Sequence, residues 1–395
     1  MPVLLDLSHT SHTRARTGVQ RVGRSLHAAL GKRALAITHD PHLGAWRPLE
    51  AWEHANLATD AAHGKRGARW PLLAKIRGRL RRHFARASSA GPLAGVDSAG
   101  LLVPEIFSPG VAAALPALFA ATRGPRVAVF HDALALQLPE FTPIRTVARF
   151  PAYLQELLAF DGIAAVSDDS REALLDYWRW LGLARALPPV KTIPLGVDAP
   201  PRSAAPHAPI SAARPTVLSV GSIEGRKNHG ALLDACEQLW ARGADFELRL
   251  VGLAHATTGR AALERIRTLQ RAGRPLRYDG PLPDAALHAA YADCAFTVYP
   301  SLREGFGLPV LESLAHGKPC VCSARGALGE AARDGGCVPL ERVDAAALAE
   351  AIARLLATPT ELVALAAAAR ARKFRAWSGH ADDLLAFLRE LPARS

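Results

Sequence analysis

The chain has 395 residues, 49% of them apolar and 6% aromatic, with a formal net charge of +12. That length suffices for two domains with sizeable cores, and the composition is that of a helix-rich α/β protein. No uninterrupted apolar run approaches bilayer-spanning length, so no membrane-spanning helix is expected.

Met1-Pro-Val-Leu-Leu-Asp-Leu7 reads as a first strand and not as a signal peptide, because it lacks a basic n-region and Asp6 breaks the apolar run. A loop rich in Ser, His, Thr and Arg follows. Gly18 then opens a helix, which puts a helix N-terminus over the carboxyl edge of a sheet, where α/β proteins bind ligands; an ordinary loop glycine would look the same.

Residues 40–98 give no assignable fold apart from one basic segment. Between Lys65 and Arg86 stand nine Lys and Arg residues and no acid, and Leu72, Leu73, Ile76, Leu80 and Phe84 recur at helical spacing. This fits an amphipathic helix on an anionic membrane surface. A helix packed on the protein with a solvated basic face, or a nucleic-acid patch, would share the pattern. The lack of interleaved aromatic residues argues against nucleic acid. Gly78 weakens the case for one continuous helix.

Leu101–Val103, Val127–Phe130 and Gly162–Val166 read as buried parallel strands. His131 and Asp132 stand at the end of the second of these, where open α/β folds keep their working groups. A histidine there titrates near neutrality and can donate to a sugar hydroxyl or to backbone. Ser167 is placed to cap a helix over Asp168–Trp180. The stretch from Pro188 to Pro215, with eight prolines, reads as a linker.

A second series of alternating strands and helices begins at Thr216, which predicts a second parallel sheet. Its first loop, Gly221 to His229, lacks the Gly-x-Gly-x-x-Gly spacing of a dinucleotide site. It carries Arg226 and Lys227 instead, suited to a diphosphate and to charge building on it as a leaving group; a solvated basic turn is the plain alternative. The strand Ala295–Tyr299 leads into Ser301-Leu-Arg-Glu-Gly-Phe-Gly-Leu-Pro309. Gly305 and Gly307 leave room for backbone N–H groups to approach a ligand, Pro309 suits a helix start and Gly317 its end. The helix N-terminus makes an anion site, flanked by the hydroxyl acceptors Glu304 and Glu312. That combination suits a nucleotide sugar: hexose at Glu304, diphosphate at the helix end, ribose at Glu312.

The five cysteines all lie in the second half, mostly in apolar elements, as reduced buried thiols do. Cys320-Val-Cys322 lacks a second ligand pair at zinc-site spacing, so no metal site is expected there.

Four segments together resemble the retaining GT-B glycosyltransferases of family 4: Gly221 with Arg226-Lys-Asn228, Tyr278-Asp-Gly-Pro-Leu282, Pro300 through Glu312, and His316-Gly-Lys-Pro319. Thr17-Gly-Val-Gln-Arg-Val22 and Phe130-His-Asp132 look like the family's acceptor-side loop and active-site histidine. The resemblance is close from Thr216 to about Leu356 and looser before it. It implies two Rossmann-like domains facing across a cleft: an acceptor domain over 1–193, a linker over 194–214, a donor domain over 215–375, and a last helix over 376–395 crossing back. It implies donor contacts from Gly221, Arg226, Lys227, Tyr278, Gly280, Glu304, Gly305, Phe306, Gly307, Leu308 and Glu312. His131 would touch the sugar from the opposite domain, with Gly18 and Asp132 on the acceptor side. Many relatives carry Arg where this chain has Ser222, and Asn where it has Leu195.

The implied reaction is transfer with retention and without a metal cofactor, since no Asp-x-Asp pair stands at a strand end and the cations with the helix terminus would neutralise the leaving diphosphate. Mannose from GDP-mannose is the expected donor, with UDP- or dTDP-sugars as the alternative. The acceptor would be a saccharide or lipid-linked saccharide, met at the cytoplasmic face of the inner membrane through residues 65–86. A non-enzymatic sugar-nucleotide or nucleic-acid binder is the competing class.

Overall fold

A computed structural model describes residues 1–14, 18–59, 69–85, 92–93, 96–184, 186–198 and 214–392. The first domain runs β1 (Val3–Asp6), α1 (Gly18–Leu30), β2 (Ala34–Asp40), β3 (Ala45–Pro48), α2 (Ala51–Ala58) and α3 (Leu72–Ala85). It continues through β4 (Leu101–Val103), α4 (Pro109–Ala121), β5 (Arg126–Phe130), α5 (Leu134–Gln137), α6 (Ile144–Glu156), β6 (Gly162–Ala165), α7 (Asp168–Trp180) and β7 (Val190–Thr192). The strands form one sheet in the order β3-β2-β1-β4-β5-β6-β7, parallel except for the edge strand β3.

The second domain opens with β8 (Thr216–Val220), α8 (His229–Ala241), β9 (Glu247–Val251), α9 (Arg260–Arg271) and β10 (Leu276–Tyr278). Then come α10 (Asp284–Asp293), β11 (Phe296–Tyr299), α11 (Leu308–Ala315), β12 (Cys320–Ser323), α12 (Gly326–Ala332) and β13 (Cys337–Leu340). Helices α13 (Ala345–Ala357), α14 (Pro359–Ala371) and α15 (Trp377–Glu390) end the chain. Its parallel sheet has the order β10-β9-β8-β11-β12-β13. Both sheets are covered on two faces, and the burial follows from the period-2 alternation of strands. In β1, Val3 and Leu5 enter the core under α1, while Leu4 enters the core on the other side with Leu101 and Phe130.

Polar residues set several helix starts as expected from their type. The Ser167 side chain accepts from Ser170 N–H at the start of α7, and Asp344 does the same for α13 with Ala347 N–H. Among the described residues no single helix is long and apolar enough to cross a membrane.

The region 40–98, which the sequence left unassigned, supplies β3, α2 and α3. Helix α3 runs unbroken through Gly78, a residue that by propensity weakens the case for one continuous helix. The reason is contact: a Cβ at Gly78 would lie 2.9 Å from His42 Cβ and 3.2 Å from the Leu43 nitrogen. Ala74, one turn earlier, is buried on the same face. The helix therefore docks by a narrow small-residue face. Leu72, Leu73, Ile76 and Leu80 are left exposed at 72%, 73%, 45% and 56%. Lys65, Arg66 and Arg86 lie outside the described residues.

Helix α15 returns to the first domain. Trp377, Ala381, Leu384, Leu385 and Leu388 pack with Val3, Leu5, Val127 and Val129. The outgoing connection runs beside the returning one, with Val197 N–H donating to Arg375 O at 2.9 Å. Leu195 is buried in the same core. Gly196 lies flat against the root of α15, where a Cβ would fall 2.5 Å from Trp377 Cα and 2.6 Å from its nitrogen. Backbone cannot yield there as a flexible side chain could. Gly196→Ala should cost about 1–3 kcal/mol through overpacking, read as a lower urea midpoint; an unchanged midpoint would mean the two crossings are loosely packed.

Candidate active site

The strand β11 is buried throughout, and the chain leaves it through Ser301, which is fully buried. Gly307 caps α11 at φ 92°, a left-handed conformation that glycine adopts without strain. Pro309 follows as the second helical residue, and Gly317, at φ 68°, lies just past the helix end. Glu312 sits one turn inside the helix and is buried. Phe306 and Leu308 pack partly against the first domain's core cluster.

Gly305 does something other than admit a ligand to its own α-carbon. A Cβ there would fall 2.2 Å from the carbonyl oxygen of His131. The Gly305 carbonyl accepts from Ser167 Oγ at 2.6 Å and Ser170 Oγ at 3.1 Å, and Ser170 Oγ also reaches His131 O at 2.9 Å. The space that the sequence reading left for a ligand is filled by the first domain. Gly305 is one of the points where the two domains touch.

Arg226 and Lys227 end a short 3₁₀ turn after β8, and Asn228 follows at φ 55° with its amide donating to Val343 O at 2.7 Å. Both cations converge on Glu304: Arg226 Nη1 to Oε2 at 2.8 Å and Lys227 Nζ to Oε1 at 2.6 Å. Lys227 also donates to the Tyr299 hydroxyl, and Arg226 pairs with Glu224 at 2.7 Å. Burial alone would raise the Glu304 carboxyl, but the two cations outweigh it and hold it at about 2. The sequence assigns the cations to a diphosphate and Glu304 to a hexose; in the structure all three form one ion cluster. Gly221 borders it, its open side facing Tyr299 and Lys227. Tyr278 and Gly280 lie outside the cluster, on the outermost strand and just beyond it. There Tyr278 Oη donates to Gly252 O at 2.9 Å and Gly280 O accepts from Gly252 N–H at 2.8 Å.

From the first domain, His131 and Asp132 arrive at the end of β5, His131 buried and Asp132 half-buried. His131 Nε2 lies 2.7 Å from Pro104 O. A carbonyl only accepts, so Nε2 carries the proton and Nδ1 is left as an acceptor. Burial pushes the His131 pKa below its ordinary value. The ring is therefore neutral at pH 7 instead of titrating there as expected. Asp132 is shifted upward by burial, although Arg226 opposes this, and its carboxylate accepts from Leu134 N–H at 3.1 Å. Gly18 opens α1 with nothing within 4 Å of its missing Cβ.

Several participants were missed in the sequence. Glu105, at the end of β4, accepts from the N–H groups of His9 and Thr10 at 2.8 Å each and fixes the loop after β1. Asp6, at the end of β1, is raised to about 7 by burial and by Glu105. Both stand at strand ends, the signal that singled out His131. Arg21 had no such signal: it lies in the first turn of α1, and its Nη1 reaches across to Glu312 Oε1 at 2.5 Å. Tyr291 Oη takes the other Glu312 oxygen at 3.2 Å. Among the described residues, no group of three or more His, Cys, Asp or Glu side chains is arranged to hold a metal ion.

Residues 214–358 match the family model of glycosyl transferases group 1. Over 333 residues the chain is 27% identical to the serotype-specific mannosyltransferase WbdA of Escherichia coli, covering 81% of this chain and 38% of that protein. It is 32% identical over 220 residues to the O-antigen chain mannosyltransferase B of the same organism, covering 54% of this chain and 56% of the relative. The chain thus spans well under two thirds of the length of either. Among solved structures it resembles Anabaena HepE in complex with UDP and glucose, at TM-score 0.70 and 17% identity over 99% of this chain and all of that one. Sucrose-phosphate synthase from Thermosynechococcus elongatus matches at TM-score 0.68 and 19% identity over 98% of each chain. The chain has the two-domain GT-B fold, and its residues 214–358 form a group 1 glycosyl transferase domain.

Proposed function

We propose that the protein is a retaining hexosyltransferase that moves mannose from GDP-mannose to a hydroxyl of a saccharide or lipid-linked saccharide in cell-surface polysaccharide synthesis. The observation that carries this is the Glu304–Arg226–Lys227 cluster beside the N-terminus of α11, with His131 delivered to it by the other domain. The relatives' names as mannosyltransferases support the sugar. A UDP- or dTDP-sugar is the alternative donor, and HepE's complex with UDP favours that second reading.

In this reading the diphosphate lies at the start of α11, where Gly307 and Leu308 offer backbone N–H groups and the helix dipole favours an anion. Arg226 and Lys227 share their remaining N–H donors with it. The ribose hydroxyls turn to Glu312, and a sugar hydroxyl donates to His131 Nδ1. The bond between the anomeric carbon and the phosphate oxygen breaks while the acceptor oxygen bonds that carbon on the same face. The departing phosphate oxygen takes the acceptor proton. Charge developing on the leaving group is met by Arg226, Lys227 and the helix terminus, so the mechanism is metal-independent.

Lys227→Ala should lower turnover about 10²-fold, by analogy with deleting one oxyanion donor. Thermal-shift titration with GDP, UDP, dTDP and ADP identifies the base, since the true ligand raises the melting temperature. Unchanged kinetics in the variant, or no shift with any nucleotide, would overturn the assignment. Activity should also persist in EDTA; loss on chelation with recovery in Mg²⁺ would refute the metal-free mechanism.

We place the enzyme at the cytoplasmic face of the inner membrane, peripherally, through α3. Its exposed Leu72, Leu73, Ile76 and Leu80 lie among the exposed Arg77, Arg79, Arg81 and Arg82, the combination that suits an anionic lipid surface. Arg79→Gln, Arg81→Gln and Arg82→Gln together should abolish sedimentation with phosphatidylglycerol vesicles at low salt. Sedimentation indifferent to both charge and salt would exclude this face.

A further inference from the structure

The contact between Arg21 and Glu312 joins the two domains through a group that the donor site needs for itself. Glu312 has a side chain only 5% exposed, and the nitrogen–oxygen distance is 2.5 Å. Its other oxygen is taken by Tyr291. A ribose diol binding this carboxylate presents two hydroxyl donors, and an ionised carboxyl accepts best along a few lone-pair directions. The guanidinium already covers one side of that acceptor, so diol and Arg21 compete. Arg21 also has somewhere to go: its Nη2 lies 3.2 Å from Asp198 Oδ2 in the connecting segment, which is 47% exposed. Losing Glu312 does not strand a buried charge.

We propose that Arg21 is an interdomain latch on Glu312, exchanged for the ribose hydroxyls when a nucleotide binds, with Asp198 retaining the guanidinium. This rests on the reading above that a nucleotide's ribose takes Glu312. The exchange links donor occupancy to the contact between α1 and α11. Because α1 begins at Gly18, on the acceptor side, donor binding frees the acceptor-side helix from the donor-side one. The cost shows as a reduced apparent affinity: when only a fraction of molecules has Glu312 open, the apparent dissociation constant rises by the inverse of that fraction. A latch closed in roughly nine molecules of ten weakens binding about tenfold.

The test is calorimetric titration of the full chain with GDP and UDP and with their 2′,3′-dideoxy counterparts. Arg21→Gln should bind the ribonucleotide about tenfold more tightly than the parent, within the usual range of coupling between sites. Asp198→Asn, an exposed change that removes the guanidinium's other resting place, should bind it several-fold more weakly. Neither variant should alter binding of the dideoxy compound, which has no hydroxyls to compete. Unchanged or weaker ribonucleotide binding by Arg21→Gln, or an equal gain for the dideoxy compound, overturns the latch alone. No nucleotide binding by any variant overturns the donor-site reading and the latch with it.

Discussion

Two like charges lie side by side in the interior because an opposite one lies between them. Arg226 and Lys227 are adjacent in sequence and both largely buried, and without Glu304 they would repel across a medium of low dielectric. Glu304 compensates both, and Glu224 takes the outer side of Arg226. Such a cluster is weak evidence for stability, since desolvating four charges costs as much as their attraction returns. Its value is positional. It fixes the loop after β11 against the turn after β8, and Leu302 N–H donating to Arg226 O at 2.9 Å completes the join. Glu304, Gly305 and the start of α11 all depend on that fixed loop.

The same loop is also the surface on which the domains meet. Gly305 lies against the His131 carbonyl, Ser170 Oγ bridges the two carbonyl oxygens and Ser167 Oγ donates to Gly305 O. Gly225, just before Arg226, is pressed in the same way against Phe141 of the first domain. Ion cluster and interdomain contact are thus built from neighbouring residues. Any shift that separates the domains moves His131 away from Glu304, and any loss of the cluster loosens the contact. Geometry of this kind holds groups from two domains in register without covalent help.

Much of this was legible in the sequence where local rules govern. Strand β11, the cap at Gly307, the helix over Leu308–Ala315 and the Ser167 cap follow from apolar period, glycine and proline placement and capping chemistry. Glu304, Arg226, Lys227 and His131 stand beyond strand ends, as the motifs indicate, but the direct pairing of both cations with Glu304 has no counterpart in the sequence. What stayed hidden depends on partners distant in sequence. Nothing near Gly305 announces that its neighbour is a carbonyl from another domain, and nothing near Arg21 names Glu312, 291 residues away. Gly78 belongs with them: propensity counts it as a weak point, while tertiary contact requires its lack of a side chain.

The tight pairing of the cluster raises a question of capacity, since cations already neutralised by carboxylates attract a diphosphate less. Hydrogen-bond geometry answers it. A guanidinium has five N–H donors and an ammonium three, and the bonds to Glu304, Glu224 and Tyr299 leave directions on both groups unspent. The helix N-terminus contributes further donors that no side-chain carboxylate occupies by capping, for Gly307 has no side chain to cap with. Glu304 in turn stays ionised while it shares the cations, and so keeps its capacity to accept from a hydroxyl. Under the proposed donor-site reading, a cluster balanced in this way would attract a diphosphate by its arranged donors more than by net charge. Selectivity would then rest on geometry, which a simple anion without a sugar's hydroxyls could not satisfy.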